Sequence, residues 1–154
     1  MIEIRKILVG TDFSPHASVA LRHAAGLAEA FKSELILLNV VEPADMMTQL
    51  PPIGESYFSP ALLQAQEDYA RGQGEETLKG INYSPSRFVL RQGSPFFEIL
   101  AAAKEENVDL IVIGTHGRGA IAHMLMGSVA ERVVRKANCP VLVVREGEHE
   151  FVHP

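Results

Sequence analysis

Glycine is concentrated in one segment of the chain, between residues 114 and 128. Four of the 12 glycines fall there, at Gly114, Gly117, Gly119 and Gly127. Glycine lets a ligand approach the backbone without a Cβ in the way. If a helix begins near Ser128, the N–H groups of Gly127, Ser128 and Val129 should point out of its positive end, as in phosphate-binding sites. The segment therefore predicts a phosphate site, with a tight strand-to-helix connection as the alternative.

Two well-known phosphate motifs fit this segment poorly. It contains no G-x-x-x-x-G-K-[ST] sequence, which excludes a P-loop NTPase. The stretch Gly117-x-Gly119-x-x-Ala122 matches the loose dinucleotide fingerprint, but it follows the fourth apolar run instead of the first. No acidic residue follows it by about 20 positions, where that fingerprint needs one for the ribose. Arg118 could pair with a phosphate or be a solvated loop residue, and the sequence does not decide between them.

Other chemistry-bearing residues give weaker signals. Asp12 follows the first apolar run and predicts either a turn that binds nearby N–H groups or a ligand contact. His16 and His23 are about two helical turns apart, too far to share an ion, and we expect no structural zinc site. The single cysteine, Cys139, excludes an internal disulfide and is expected to be a buried, small apolar residue. No G-x-S-x-G hydrolase motif occurs, so we assign no catalytic residue.

Five short apolar runs must position these residues. They lie at 7–9, 34–41, 88–90, 109–114 and 140–144. Within the second and fourth runs, residues 35–38 and 110–113 are continuously apolar, which is typical of strands that are covered on both faces. Helical patterns separate the runs, and strict alternation implies right-handed crossovers. We therefore expect an α/β fold, a doubly wound, Rossmann-like five-stranded parallel sheet with helices on both faces, whose strand order the sequence does not determine.

Serine marks the predicted start of each helix. Ser-Pro pairs at 14–15, 59–60 and 94–95 combine an N-cap residue with a proline at the first helical position. Proline fits there because the N–H that it lacks would have no acceptor within the helix. The fourth helix is predicted to begin near Ser128, where Ser128 and Glu131 fit a capping box. Between the second run and the second helix, Pro43 to Ser59 reads as a long loop. It is either a harmless insertion or a lid or partner-docking segment.

Length and charge limit the remaining possibilities. The 154 residues favour one domain, which we place at residues 1–146 with a polar tail at 147–154. With 14 Lys and Arg against 19 Asp and Glu, general binding to nucleic acid is not expected. The longest apolar runs are far shorter than the ~20 residues that span a bilayer. Together with the absence of a visible targeting segment, this leads us to expect a cytoplasmic protein.

The spacing Gly114-x2-Gly117-x9-Gly127-Ser128 resembles the G-2x-G-9x-G-[S/T] nucleotide motif of the universal stress protein family. Residues 7–14 resemble that family's first strand and its aspartate. Residues 110–117 resemble its fourth strand and loop, and residues 138–144 its last strand. The resemblance covers nearly the whole chain, although the middle from Pro43 to Tyr83 carries no signature.

The resemblance implies a specific site. Members with the complete motif form the ATP-binding branch, whose site lies between the first and fourth strands. By analogy, Asp12 would lie near the adenine end, close to the backbone of Val40 or Val41. Gly114 and Gly117 would shape the wall, and Gly127, Ser128 and the Val129 N–H would take the phosphates. ATP could bring Mg²⁺, with Asp12 as an indirect ligand.

The last strand also predicts a partner. In the strand order that the family implies, Val141 to Val144 lies at a sheet edge, and an apolar edge is an aggregation hazard unless it is paired. Pairing across a two-fold axis would make a homodimer. The resemblance thus implies an ATP-binding stress-response or regulatory protein that acts as a homodimer. Two other functions stay open: a slow ATP hydrolase or nucleotidyl-transfer enzyme, and an interaction protein whose glycine loop is structural. A flavin-binding electron carrier is a minor rival.

Overall fold

The chain alternates strands and helices throughout the part that the computed structural model describes, residues 1–43, 60–115 and 126–145. The elements are β1 (Lys6–Gly10), α1 (Pro15–Phe31), β2 (Glu34–Val41), α2 (Pro60–Ile81), β3 (Ser86–Gln92), α3 (Pro95–Glu105), β4 (Leu110–Gly114), α4 (Ser128–Lys136) and β5 (Val141–Val144). This is the predicted order of elements. Residues 44–59, which include nearly all of the predicted long loop, and the proposed tail at 147–154 lie outside the described residues.

All five strands belong to one parallel sheet, in the order β3-β2-β1-β4-β5. The predicted fold class is confirmed, and the strand order, which the sequence left open, puts β1 at the centre. The chain moves outward from β1 through β2 to β3, and then crosses back to β4 on the other side of β1. The carboxyl ends of β1 and β4 therefore flank the point where the winding reverses, which is where open α/β sheets bind ligands.

A hydrophobic core fills each face of the sheet. Ile7 and Val9 of β1 face one core together with α1, while Leu8 between them faces the other core with α3 and α4. All three side chains are fully buried. Since successive side chains of a strand point to opposite faces, burial of every residue requires helices on both sides. Burial on both faces of the sheet explains why residues 35–38 and 110–113 are continuously apolar.

The Ser-Pro pairs mark helix starts, but only one of the described serines caps by its side chain. The Ser14 hydroxyl accepts a hydrogen bond from the Ala17 N–H at 3.2 Å, and Pro15 takes the first helical position. Ser94 occupies the cap position of α3 without a side-chain bond to the helix start. Helix α2 begins at Pro60, as predicted, and Ser59 lies outside the described residues.

Helix α2 packs closely against the sheet at a glycine. The sequence suggests that Gly72 and Gly74 only weaken this helix, by about 1 kcal/mol each. Gly74 is instead buried against the Phe88 ring of β3: a Cβ at this position would lie 2.5 Å from Cε2 and 2.6 Å from Cγ of that ring. Gly72 is exposed, and apart from its chain neighbours and the backbone of its own helix, no described atom lies within 4 Å of its would-be Cβ. Gly74 therefore lets α2 approach β3 closely.

Two further sequence predictions concern burial. Cys139 is half-buried and packs against the core that faces α3 and α4, and burial raises the pKa of its thiol. It is therefore less buried than expected, and it behaves as a poorly ionised apolar group. No helix among the described ranges is long and apolar enough to cross a membrane.

Candidate functional site

The loop after β1 is anchored to β2 at the carboxyl edge of the sheet. The Thr11 N–H donates to the Leu38 carbonyl at 2.8 Å, and the Asn39 side-chain amide donates to the Thr11 carbonyl at 2.9 Å. Asn39 is only 8% exposed, and this hydrogen bond gives its buried amide a partner inside the protein. Asn39 was not among the residues predicted from the sequence. Its signal was a single polar residue inside the otherwise apolar run at 35–41.

Asp12 makes the turn interaction that its position predicts. Its Oδ1 accepts a hydrogen bond from the Ser14 N–H at 2.9 Å, and the Phe13 N–H donates to the Thr11 hydroxyl at 3.0 Å. The backbone of Phe13 between them is left-handed, with φ 61°. Since Ser14 in turn caps α1, the Asp12 carboxylate is held at the junction between the central strand and the first helix. A ligand contact at Asp12 stays a prediction.

Val40 and Val41 lie at the carboxyl end of β2, one strand away from this junction. Val41 is 9% exposed, and its carbonyl accepts a hydrogen bond from the Gly93 N–H at 3.0 Å. Val40 is partly exposed and packs towards the core on the α3 side of the sheet. Both residues therefore lie at the same edge as Asp12, and their contact with a ligand is not tested by the fold.

Thr115 holds three elements together on the other side of β1. It is 5% exposed and follows β4 directly. Its N–H donates to the Val144 carbonyl of β5 at 3.0 Å, and its carbonyl accepts from the Gly127 N–H. The start of α4 is thereby tied to the carboxyl end of β4, next to Gly114. Thr115 was not among the residues predicted from the sequence, because its role depends on contacts that are remote along the chain.

The start of α4 corrects two predictions. The capping box is wrong, because Gly127 is the N-cap, with φ −67° and ψ 157°, and Ser128 is the first helical residue. The Gly127 carbonyl accepts the Glu131 N–H at 3.0 Å, which begins the helical hydrogen bonds. The prediction that the Gly127 N–H points out towards a ligand is also wrong, because this N–H faces back to Thr115.

Ser128 and Val129 keep the geometry expected of an anion-binding helix start. They occupy the first two positions of α4, where a backbone N–H has no acceptor within its own helix. Ser128 is exposed and Val129 is partly exposed, and the positive end of the helix dipole lies behind both. The arrangement can therefore bind a phosphate through the backbone.

The charged side chains at the β3 end of this edge are already paired. The Arg91 guanidinium donates to Glu98 at 2.6 Å through Nε and to Glu105 at 2.7 Å through Nη1. The hydrogen bond from Arg91 lowers the pKa of Glu105 below its usual range. Arg91 is thus committed to fastening α3 to β3, and it is not a candidate for binding phosphate.

Seven of the nine predicted site residues reach the carboxyl edge of the sheet. They are Asp12, Val40, Val41, Gly114, Gly127, Ser128 and Val129. Gly117 and Arg118 lie outside the described residues, as do His116 and His123. Across the described ranges, no group of three His, Cys, Asp or Glu side chains is close enough to hold a metal ion.

Comparison with known proteins identifies the architecture. The sequence model of the universal stress protein family matches residues 3–145. The chain belongs to the universal stress protein family. A universal stress protein of Thermus aquaticus is 36% identical over 142 residues, which cover 92% of this chain and 98% of the relative. The family that the motif spacing resembles is therefore confirmed.

Solved structures support the same assignment. Protein MJ0577, a universal stress protein of Methanocaldococcus jannaschii, superposes with a TM-score of 0.78 at 32% identity, over 96% of this chain and all of that chain. A universal stress protein solved in complex with cAMP superposes with a TM-score of 0.66 at 25% identity, over 94% of this chain and 98% of that chain. The present chain therefore shares its fold with a relative that was solved with cAMP bound.

Proposed function

We propose that this universal stress protein is a regulatory protein that binds ATP at the carboxyl edge of the sheet, between β1 and β4. The observation that carries the proposal is the start of α4, which the Gly127–Thr115 hydrogen bond ties to the end of β4. The backbone N–H groups of Ser128 and Val129 at that start suit phosphate oxygens. The cAMP complex of a relative supports an adenine nucleotide as the ligand class.

The other site residues have roles at the two ends of the proposed ligand. Asp12 would face the ribose and adenine, with the backbone of Val40 or Val41 beside the base. Gly114 and Gly117 would form the wall, and Arg118 could add a charged contact to phosphate. An Mg²⁺ ion would be held mainly by the nucleotide phosphates, since the described residues form no metal site of their own.

Calorimetry with ATP tests the binding proposal. The wild type should bind ATP and melt at a higher temperature when ATP is present. Gly127→Val should weaken binding, because a branched side chain would stand at the mouth of the helix start. The backbone there, with φ −67° and ψ 157°, suits any residue, so the fold should survive. Gly72→Ala, at an exposed glycine of α2, is the control and should bind normally.

Two results would count against the ATP site. If the wild type shows neither heat nor a melting shift at saturating ATP, the protein does not bind ATP. If the wild type binds but Gly127→Val binds equally well, the nucleotide lies elsewhere. Mass spectrometry of small molecules that are released from the denatured protein would show which adenylate it carries from the cell.

We also propose that the protein is a homodimer through β5. The two edges of the sheet differ: β3 carries Arg87 and Arg91, whereas β5 consists only of Val141, Leu142, Val143 and Val144. Charged side chains protect an edge strand from pairing, and an apolar edge favours it. Leu142 is 36% exposed, and Val134 of the neighbouring α4 is 44% exposed. Both would be covered by a second copy.

Light scattering tests the dimer. The wild type should have the mass of two chains, and Leu142→Lys should have the mass of one, because a charge at the centre of the interface would lose its hydration. Leu62→Lys makes the same change at a leucine of α2 that is 43% exposed, and it should leave the dimer intact. A monomeric wild type at micromolar concentration, or a dimeric Leu142→Lys variant, would contradict the proposed interface.

We also propose one domain for the chain and a location for the protein. The family match at residues 3–145 supports a single domain at 1–146. One cysteine and no disulfide fit a reducing compartment, and we place the protein in the cytoplasm.

A further inference from the structure

The backbone of Phe13 is an exception among the described residues. Four residues other than glycine have positive φ there: Phe13, Lys32, Asn82 and Asn107. The last three follow the carboxyl ends of α1, α2 and α3, where a left-handed residue is a common way to end a helix. Phe13 lies between a strand and the start of a helix, and a residue with a large side chain disfavours this conformation. Something in the fold must therefore hold it there.

The surrounding contacts account for the conformation. The Phe13 ring packs against the Phe88 ring of β3, with the ring centroids 6.4 Å apart and the planes inclined by 36°. The Phe88 ring is itself held by α2, which approaches it at Gly74. On the backbone side, the Phe13 N–H donates to the Thr11 hydroxyl at 3.0 Å. The ring contact and this hydrogen bond fix Phe13 from two sides.

The left-handed turn determines where the neighbouring carboxylate lies. With Phe13 at φ 61°, the Ser14 N–H comes back towards Asp12 and donates to its Oδ1 at 2.9 Å. If Phe13 relaxed to negative φ, the direction of the chain between Asp12 and Ser14 would change and this hydrogen bond would be lost. The orientation of the Asp12 carboxylate at the edge of the sheet therefore depends on a partly buried residue whose ring packs against Phe88.

The geometry points to Phe13 as a positioning residue for nucleotide binding, which acts by holding Asp12 in its binding orientation. This inference rests on the proposed function, since it assumes that ATP binds beside Asp12. It assigns Phe13 no contact with the ligand. The Phe13–Phe88 contact links the nucleotide end of the site to β3 and α2, on the side of β1 away from the proposed phosphate position.

Two substitutions at Phe13 separate positioning from simple packing. Phe13→Ala removes the ring but keeps a Cβ, so the turn should relax and ATP affinity should fall about tenfold, the factor that matches the penalty for a left-handed residue with a Cβ. Phe13→Gly also removes the ring, but it allows positive φ freely. It should therefore recover part of the lost affinity, although it removes more of the side chain. A role in packing alone predicts no such recovery.

A double-mutant cycle tests whether Phe13 acts through Asp12. In an Asp12→Asn protein, the further change Phe13→Ala should cost much less ATP affinity than it does in the wild type. Phe97→Ala, at an aromatic residue of α3 that is 64% exposed, is the control and should bind like the wild type. If Phe13→Ala fails to fold, Phe88→Leu replaces it, since this change removes the ring partner and keeps an apolar side chain.

The outcomes are distinct. If the wild type does not bind ATP, the proposed function fails. If the wild type binds, the positioning role is overturned by any of three results: wild-type affinity in Phe13→Ala, or in Phe88→Leu where that variant replaces it; no recovery in Phe13→Gly; or additive losses in the cycle with Asp12→Asn. A loss in the Phe13 variant, its recovery by glycine and non-additivity with Asp12 together support the role.

Discussion

Replacing Gly74 with alanine should destabilise the protein, although alanine is the better helix former. A Cβ at this position would lie 2.5 Å from Cε2 and 2.6 Å from Cγ of Phe88. Real Cβ atoms do not approach a ring so closely, so the ring or the helix must shift. Overpacking of this kind costs about 1–3 kcal/mol. The gain in helix propensity from glycine to alanine is about 1 kcal/mol, which leaves a net loss of up to about 2 kcal/mol.

The matched control is the same substitution two residues away. Gly72 is exposed in α2, and its would-be Cβ meets no described atom within 4 Å beyond its chain neighbours and its own helix backbone. Gly72→Ala should therefore stabilise the protein by about 1 kcal/mol. Because both variants share the propensity gain, the difference between their free energies of unfolding measures the clash alone, about 1–3 kcal/mol. For a chain of this size, each kcal/mol shifts Tm by about 2–4 °C.

Thermal and chemical denaturation of the two variants provide the measurement. Gly74→Ala should melt below the wild type and Gly72→Ala above it. In a Phe88→Leu background, where the ring is absent, the penalty for Gly74→Ala should shrink. If Gly74→Ala raises Tm as much as Gly72→Ala does, the close approach of α2 to β3 is not a constraint, and the explanation of Gly74 is wrong.

Three further predictions concern stability. Tyr83→Phe should cost about 1 kcal/mol in denaturant titrations, because the hydroxyl lies 2.9 Å from the Ala28 carbonyl of α1 and 2.6 Å from the Ser33 carbonyl just before β2. Ser14→Ala should also cost about 1 kcal/mol, through loss of the cap bond to the Ala17 N–H. The hydrogen bond from Arg87 lowers the pKa of Glu106. The Arg87–Glu106 pair therefore stabilises the protein fully above the unfolded pKa of glutamate, about 4.3, and this stabilisation is lost as pH falls through the lower pKa of Glu106 in the folded protein. Glu106→Gln should therefore make the loss of stability in acid less steep.

Local sequence signals predicted the elements because those signals depend on neighbours along the chain. The alternation of apolar runs with helical patterns follows from side-chain periodicity, which each segment shows by itself. Pro15, Pro60 and Pro95 mark helix starts because proline suits the first turn whatever the rest of the fold does. Asp12 directly after the first strand and Ser128 at the start of the last helix were likewise predicted from signals in their own segments.

Contacts between distant segments explain what the sequence analysis missed or mistook. Ser128 looked like a cap, but the Gly127 N–H bonds to Thr115 across a gap of 12 residues, and Gly127 takes the cap position. Asn39 and Thr115 resemble ordinary polar residues until the strand order brings their partners within reach. Gly74 looked like a weak point because nothing in its helix shows that the Phe88 ring lies against it.

By itself, the sequence determined the class of fold, the order of the elements and the resemblance to the universal stress protein family. Periodicity, caps and motif spacing are local properties, so they can be recognised without knowing how the chain packs. Only the tertiary structure decided that β1 is central, that the Gly127 N–H turns inward, and that the Phe13 ring contacts Phe88 while its backbone is left-handed. These features depend on which strands become neighbours, and that choice is made by burial of the whole chain.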